Sequence, residues 1–159
     1  APLIVSIDPG TKCAGYAVFA ESDTETKPVM IRCGVFRGDD WIDTANHTPE
    51  FSELDKENLK LIIEDPRIYP VTNVRPNDLM KLANSVGAIV AKVNAKFTKL
   101  VTPSRWKKSI PKTIHQKRIL RCLSPEEKQI LDNCLCPKSL QHNVVDAIGI
   151  GLWHVGRMK

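Results

Sequence analysis

The chain has 159 residues and a mass of 17.8 kDa, one domain's worth of sequence and long enough to bury a core without disulfide or metal staples. Hydrophobic residues make up 42% and charged residues 26%, a balance that excludes wholesale disorder. The net charge of +5 conceals an asymmetry: residues 1–66 hold 6 Lys and Arg against 13 Asp and Glu, whereas residues 67–159 hold 17 against 5.

In chain order, Leu3-Ile-Val-Ser-Ile7 is a β-branched run of strand length, apolar enough for burial on both faces. It stops at Asp8-Pro9-Gly10-Thr11, a turn imposed by proline and glycine. Gly15–Phe19 follows at hairpin distance as an antiparallel partner, and Val29–Phe36 completes a meander. Residues 37–58 are polar and acidic and read as a surface connection. Leu59–Ile63 is a fourth strand, ending at Glu64-Asp65-Pro66.

Pro76 opens a predicted helix to about Phe97, with Leu79, Leu82, Val86, Ile89, Val90 and Val93 as its apolar stripe and Asp78 at the positive end of its dipole. Thr98–Thr102 is a fifth strand, followed by a basic loop and a helix capped by Thr113 and running to about Leu123. Ser124-Pro-Glu-Glu127 is a strong helix start. The last helix is expected from Ser139 to about Gly156. Its Gly149 and Gly151 would let it lie close on the sheet. This order implies one α/β domain over residues 1–159, a mixed sheet covered by helices.

Three carboxylates stand out. Asp8 and Glu64 close two apolar strands; if those strands are parallel neighbours, both emerge at one sheet edge, where open α/β sheets place ligands. Asp146 lies inside Val144-Val-Asp-Ala-Ile148, where an acid is costly unless paired or bound to a cation. His142 and Asn143, at i−4 and i−3, share its helix face. Each acid alone has a bland reading: Asp8 as a turn residue, Glu64 as a strand end, and Asp146 as an acid bonded to a backbone N–H or a lysine. Together, three oxygen donors without thiolates suit a hard cation, Mg²⁺ or Mn²⁺. Two such ions about 4 Å apart are the usual device for in-line phosphodiester hydrolysis.

From residue 79 to residue 125 there are 11 Lys or Arg and no carboxylate, which suggests a polyanion such as nucleic acid. Arg105, Lys107, Lys108, Lys112, Lys117 and Arg118 are its candidate phosphate contacts, and Trp106 reads as a loop anchor rather than a stacking residue. The five cysteines are scattered and odd in number, which suits a reducing cytoplasm. Cys134-Leu-Cys136 lacks a second pair for zinc and reads as buried thiols. No apolar run approaches the ~20 residues that cross a bilayer, and the first residues lack a signal peptide's basic n-region, so no membrane is expected.

Ile7-Asp8-Pro9-Gly10-Thr11 with Gly15-Tyr16, then Ile63-Glu64, then Val145-Asp146-Ala147-Ile148 together resemble the RuvC-type Holliday junction resolvases of the RNase H-like superfamily. His142-Asn143-x-x-Asp146 followed by Ala-Ile-Gly-Ile-Gly, and Pro103-x-x-Trp106-Lys107, are similar to the phage members. The resemblance spans nearly the whole chain. It implies a five-stranded sheet in order 3-2-1-4-5, a homodimer, and paired symmetric nicks across four-way or other branched DNA. It also implies Mg²⁺ or Mn²⁺ at the acids, no nucleotide cofactor, and the cytoplasm of a bacterial or phage-infected cell, at its nucleoid. Asp8, Glu64 and Asp146 match the family's acidic positions. A fourth position, Asp or His in many relatives, is Asn143, which leaves the fourth ligand open between Asn143 and His142. An aromatic that stacks on DNA in many relatives is Arg67 here, so that role passes to Tyr69 or is absent. Met80, Ala83 and Ala91 add apolar surface to the helix from Pro76 and make it a candidate dimer interface.

Two other classes compete. A sugar kinase or actin-like ATPase also opens with Asp-x-Gly-Thr but needs a second lobe, which this length excludes. A silent nucleic-acid-binding module explains the basic stretch but not the acids. Within the superfamily, an RNase H, a transposase-type nuclease or a flap endonuclease stays open.

Overall fold

The computed structural model describes residues 3–51, 58–67 and 75–159. Five strands, β1 (Leu3–Asp8), β2 (Cys13–Ala20), β3 (Val29–Arg37), β4 (Leu59–Glu64) and β5 (Phe97–Val101), form one sheet in the order β3-β2-β1-β4-β5. The first three pair antiparallel as a meander, and β4 and β5 add in parallel to β1. This is the expected topology.

Period-two alternation divides each strand between two cores. Leu3, Val5 and Ile7, with Leu59, Leu61 and Ile63, meet α2 (Pro76–Val93) on one face through its Val86, Ile89 and Val93. Ile4 and Ile62 meet α6 (Gln141–His154) on the other face through Val144, Ile148 and Leu152. Asp8 and Glu64 stand in step with Ile4 and Ile62, so they belong to the α6 face.

α6 lies unusually close to the sheet. A Cβ on Gly151 would collide with the Phe19 ring and sit 2.8 Å from Ser6 Oγ. A Cβ on Gly15 of β2 would run into the Asn143 carbonyl. Into this narrow gap the buried Ser6 hydroxyl donates to the Ala147 carbonyl at 2.6 Å. The turn after β1 is held from the other side, where Ser85 donates to the Gly10 carbonyl and Thr44 to the Thr11 carbonyl.

Five expectations need correction. Residues 37–58 are not all surface connection: α1 (Trp41–Asn46) starts at the Asp40 cap and buries Thr44 and Ala45. α2 ends at Val93 rather than Phe97, because Asn94 takes a left-handed conformation (φ 50°) that frees Phe97 to begin β5. The basic loop contains a one-turn helix, α3 (Pro103–Trp106). α4 runs over Lys112–Arg121 without a side-chain cap from Thr113, and α6 starts at Gln141 after a 3₁₀ turn over Lys138–Leu140. The start of α5 (Pro125–Asn133) is as expected, with Ser124 and Glu127 forming a reciprocal capping box.

Glu127 does more than cap. Buried, it accepts from the Met30 N–H and takes a two-pronged contact from Arg157 at 2.6 Å, while Arg157 also donates to the Cys122 carbonyl. Burial alone would push this carboxyl up, but Arg157 and the two N–H groups hold it down to about 2. A depressed acid contributes stability above its unfolded value and loses it as pH falls from about 4.5 through about 2, so acid unfolding begins in that window. Glu127→Gln takes the carboxylate from the half-buried Arg157 guanidinium and should cost roughly 3–5 kcal/mol in urea unfolding at neutral pH. Gly151→Ala should cost about 1–3 kcal/mol in the same assay, through forced displacement of Phe19.

Candidate active site

The pairing Ile7↔Ile63 sets the next residues, Asp8 and Glu64, side by side at the carboxyl end of two parallel strands. Asp146 comes to them from above. Its peptide neighbour Ala147 is the one anchored by Ser6, two residues before Asp8 on the same face of β1. The three acids therefore share one edge, as the sequence suggested.

Their charges act on one another. Burial, then Glu64, then Asp146 push the Asp8 carboxyl well above the ordinary carboxylate range, while Lys107 and Lys112 pull it back. Burial raises Glu64 as well, against the pull of Lys107 and of the Trp106 N–H, with Asp146 adding to the rise. Folding thus gathers negative charge where it is least comfortable, a mark of sites built for a reaction. Among the described residues no three His, Cys, Asp or Glu side chains are closed to the geometry that ligates one ion. One oxygen of Glu64 is already engaged, accepting from Trp106 Nε1 at 2.6 Å.

Trp106 is buried at 1% exposure, so it anchors its loop and also orients a candidate ligand. Behind it, His115 of α4 lies 5.1 Å from the indole, buried, with neither ring nitrogen partnered among the described residues. Burial lowers its pKa and Arg118 lowers it further, against Asp146. Sequence reasoning passed over His115; its only signal was an isolated histidine within the basic segment.

Asn143 and His142 separate clearly. His142 is exposed, whereas Asn143 is half-buried and donates its amide to Cys13 Sγ at 3.5 Å. That thiol feels the Asp8 charge, so Asn143 sits on the Asp8 side of the edge. Cys134 and Cys136 are half-buried against the α6-side core as free thiols.

The basic candidates divide too. Lys107 is half-buried and, with Lys112, acts electrostatically on the acids. Arg105, Lys108 and Lys117 are exposed. Arg118 is committed elsewhere, donating to the Lys159 carbonyl at 2.8 Å. Arg67 is exposed and paired with Asp65 at 2.9 Å. Tyr69 lies outside the described residues.

No protein-family model matches the sequence, and no curated protein matches it. Solved structures do match, over almost the whole fold. Thermus thermophilus RuvC, in complex with a Holliday junction substrate, aligns with a TM-score of 0.55 at 14% identity over 100% of this chain and 99% of its own. The fowlpox virus resolvase, solved with Holliday junction DNA, gives 0.57 at 15% identity over 98% and 99%. The yeast mitochondrial Holliday junction resolvase Ydc2 gives 0.56 at 11% identity over 97% and 80%. The chain has the RNase H-like fold of these resolvases.

Two variants probe the edge. Asp8→Asn removes one of three clustered charges and should raise metal-free stability in urea by on the order of 1 kcal/mol. Trp106→Phe keeps an aromatic ring but deletes the N–H to Glu64 along with part of the buried indole, and should lower stability by about 1.5–3 kcal/mol.

Proposed function

We propose that the protein is a metal-dependent endonuclease that cuts branched DNA, with the four-way junction as its preferred substrate. The observation that carries this reading is the convergence of Asp8, Glu64 and Asp146 on one sheet edge within the electrostatic reach of Lys107 and Lys112. Clustered anions repel a phosphodiester unless cations intervene. An oxygen-rich donor set suits Mg²⁺ or Mn²⁺, two ions being the arrangement that suits phosphodiester hydrolysis. Asp8, Glu64 and Asp146 would hold them, with Asn143 better placed than the exposed His142 to add a fourth oxygen. Bound there, such ions supply an activated water and charge stabilisation at the leaving oxygen.

The remaining steps belong to the chain itself. Lys107 and Lys112 draw the scissile phosphate towards the acids. Trp106 fixes the Glu64 carboxylate so that its free oxygen faces the edge. The neutral His115 ring backs the indole and keeps it from turning. Arg105, Lys108 and Lys117 contact neighbouring phosphates, which position the duplex and carry little sequence information.

Support for junctions over other phosphodiesters comes from the fold. Two of the matching structures are complexes with Holliday junction DNA. A four-way junction has a two-fold axis, and a C₂ dimer would present two such edges to opposite strands. On α2, Met80 is 66% exposed and Ala83 and Ala91 are also exposed, an apolar surface suited to that contact.

Asp8→Asn, Glu64→Gln and Asp146→Asn should each abolish Mg²⁺-dependent cleavage of a labelled four-way junction while leaving binding intact or tighter. Asn143→Ala should lose more than His142→Ala. Digesting a four-way junction, an RNA–DNA hybrid and a flap side by side decides the substrate, and preferential cutting of hybrid or flap would overturn the junction reading. A strictly monomeric mass with junction bound would remove the dimer.

A further inference from the structure

Away from the acids, the β4–β5 margin carries a second concentration of positive charge. β5 is an edge strand, and its register pairs Lys60 with Phe97 and Ile62 with Lys99. These side chains alternate onto the α6 face, beside the end of α6. There Lys99 Nζ lies 5.5 Å and Arg105 Cζ 6.0 Å from the Trp153 ring centroid. One step further, Lys96 Nζ lies 5.8 Å from the ring of Phe97, which is 57% exposed.

A single lysine on an edge strand commonly just blocks strand-to-strand aggregation. This arrangement is more than that. Lys60, Lys96, Lys99 and Arg105 have no ion pair among the described residues. Two aromatic rings hold three of these cations in place, which reduces the ordering cost of a later contact. Burial first, and then Lys60 and Lys99, lower the neighbouring His154 to about 4, so it stays neutral and adds no charge of its own.

We propose that this cation-lined margin, running from Arg105 past Lys99 to Lys96, is a track for the phosphate backbone of a duplex DNA arm leaving the active edge. The proposal rests on nucleic acid being the substrate and says which way the arm runs. Strand geometry sets its scale: five residues at about 3.3 Å each span roughly 16 Å, close to half a turn of duplex. Duplex is favoured over single strand because the Trp153 ring is engaged by cations and is not free to stack on bases. Charge that contacts only phosphates adds affinity without sequence preference.

Fluorescence anisotropy in EDTA, with a labelled four-way junction, a linear duplex and single-stranded DNA across a salt series, tests this. Lys96→Glu and Lys99→Glu should each reduce the dependence of log affinity on log salt by about 0.9 on junction and duplex, and together by about twice that. Lys128→Glu, exposed on α5 beside the opposite edge strand β3, should leave the slope unchanged. Circular dichroism confirms that each variant is folded. An unchanged slope in the folded double variant overturns the track, and so does a loss confined to single-stranded DNA. If the slopes shift as expected while the wild-type protein cuts no branched DNA, the track stands and the nuclease reading fails. If the wild type cuts junctions and the slopes do not move, the track alone falls.

Discussion

Everything at the acidic edge depends on how closely α6 approaches the sheet. The distance is set by what is missing, a side chain at Gly151 and at Gly15, and the register is set by Ser6 gripping the Ala147 carbonyl. A helix one side chain further out would carry Asp146 away from Asp8 and Glu64. A buried hydroxyl without a partner is costly, so the Ser6 contact resists sliding of the helix along β1. Position and orientation of the third acid thus follow from two small residues and one hydroxyl.

A second constraint runs through Trp106. It is a core residue by packing and a site residue by its N–H, so the α6-side core and the carboxylate edge are mechanically one unit. At the far end of the same core, Glu127 and Arg157 tie α5, β3 and the C-terminal segment together. The helices over this face are therefore pinned at both ends by charged hydrogen bonds, with apolar packing between. Such pinning suits a site whose own charges push it apart.

Much of this was legible in the residues. The first strand was a β-branched run and the fourth an apolar one, and the acids closing those two runs marked the edge before any topology was known. The close approach of α6 could be read from Gly149 and Gly151. What escaped depends on long-range partners. Trp41–Asn46 is a six-residue helix within a polar stretch, and the Asp40 cap with the burial of Thr44 and Ala45 holds it in place. Asn94 gives no strong stop signal, so the α2 boundary drifted. The link from Trp106 to Glu64 joins residues 42 apart, and no local pattern announces it. Arg118 looked free in sequence, but the carbonyl of Lys159 claims it.

The bond between Ser6 and Ala147 joins positions 141 apart in a chain of 159 residues. Every residue from Ser6 to Ala147 must be made before that bond can close, and contacts of such long range form slowly. Until then the three carboxylates are strangers in sequence with no common edge. Any chemistry that needs all three is thereby withheld from nascent and half-folded chains. A site assembled this way is complete only in the finished fold.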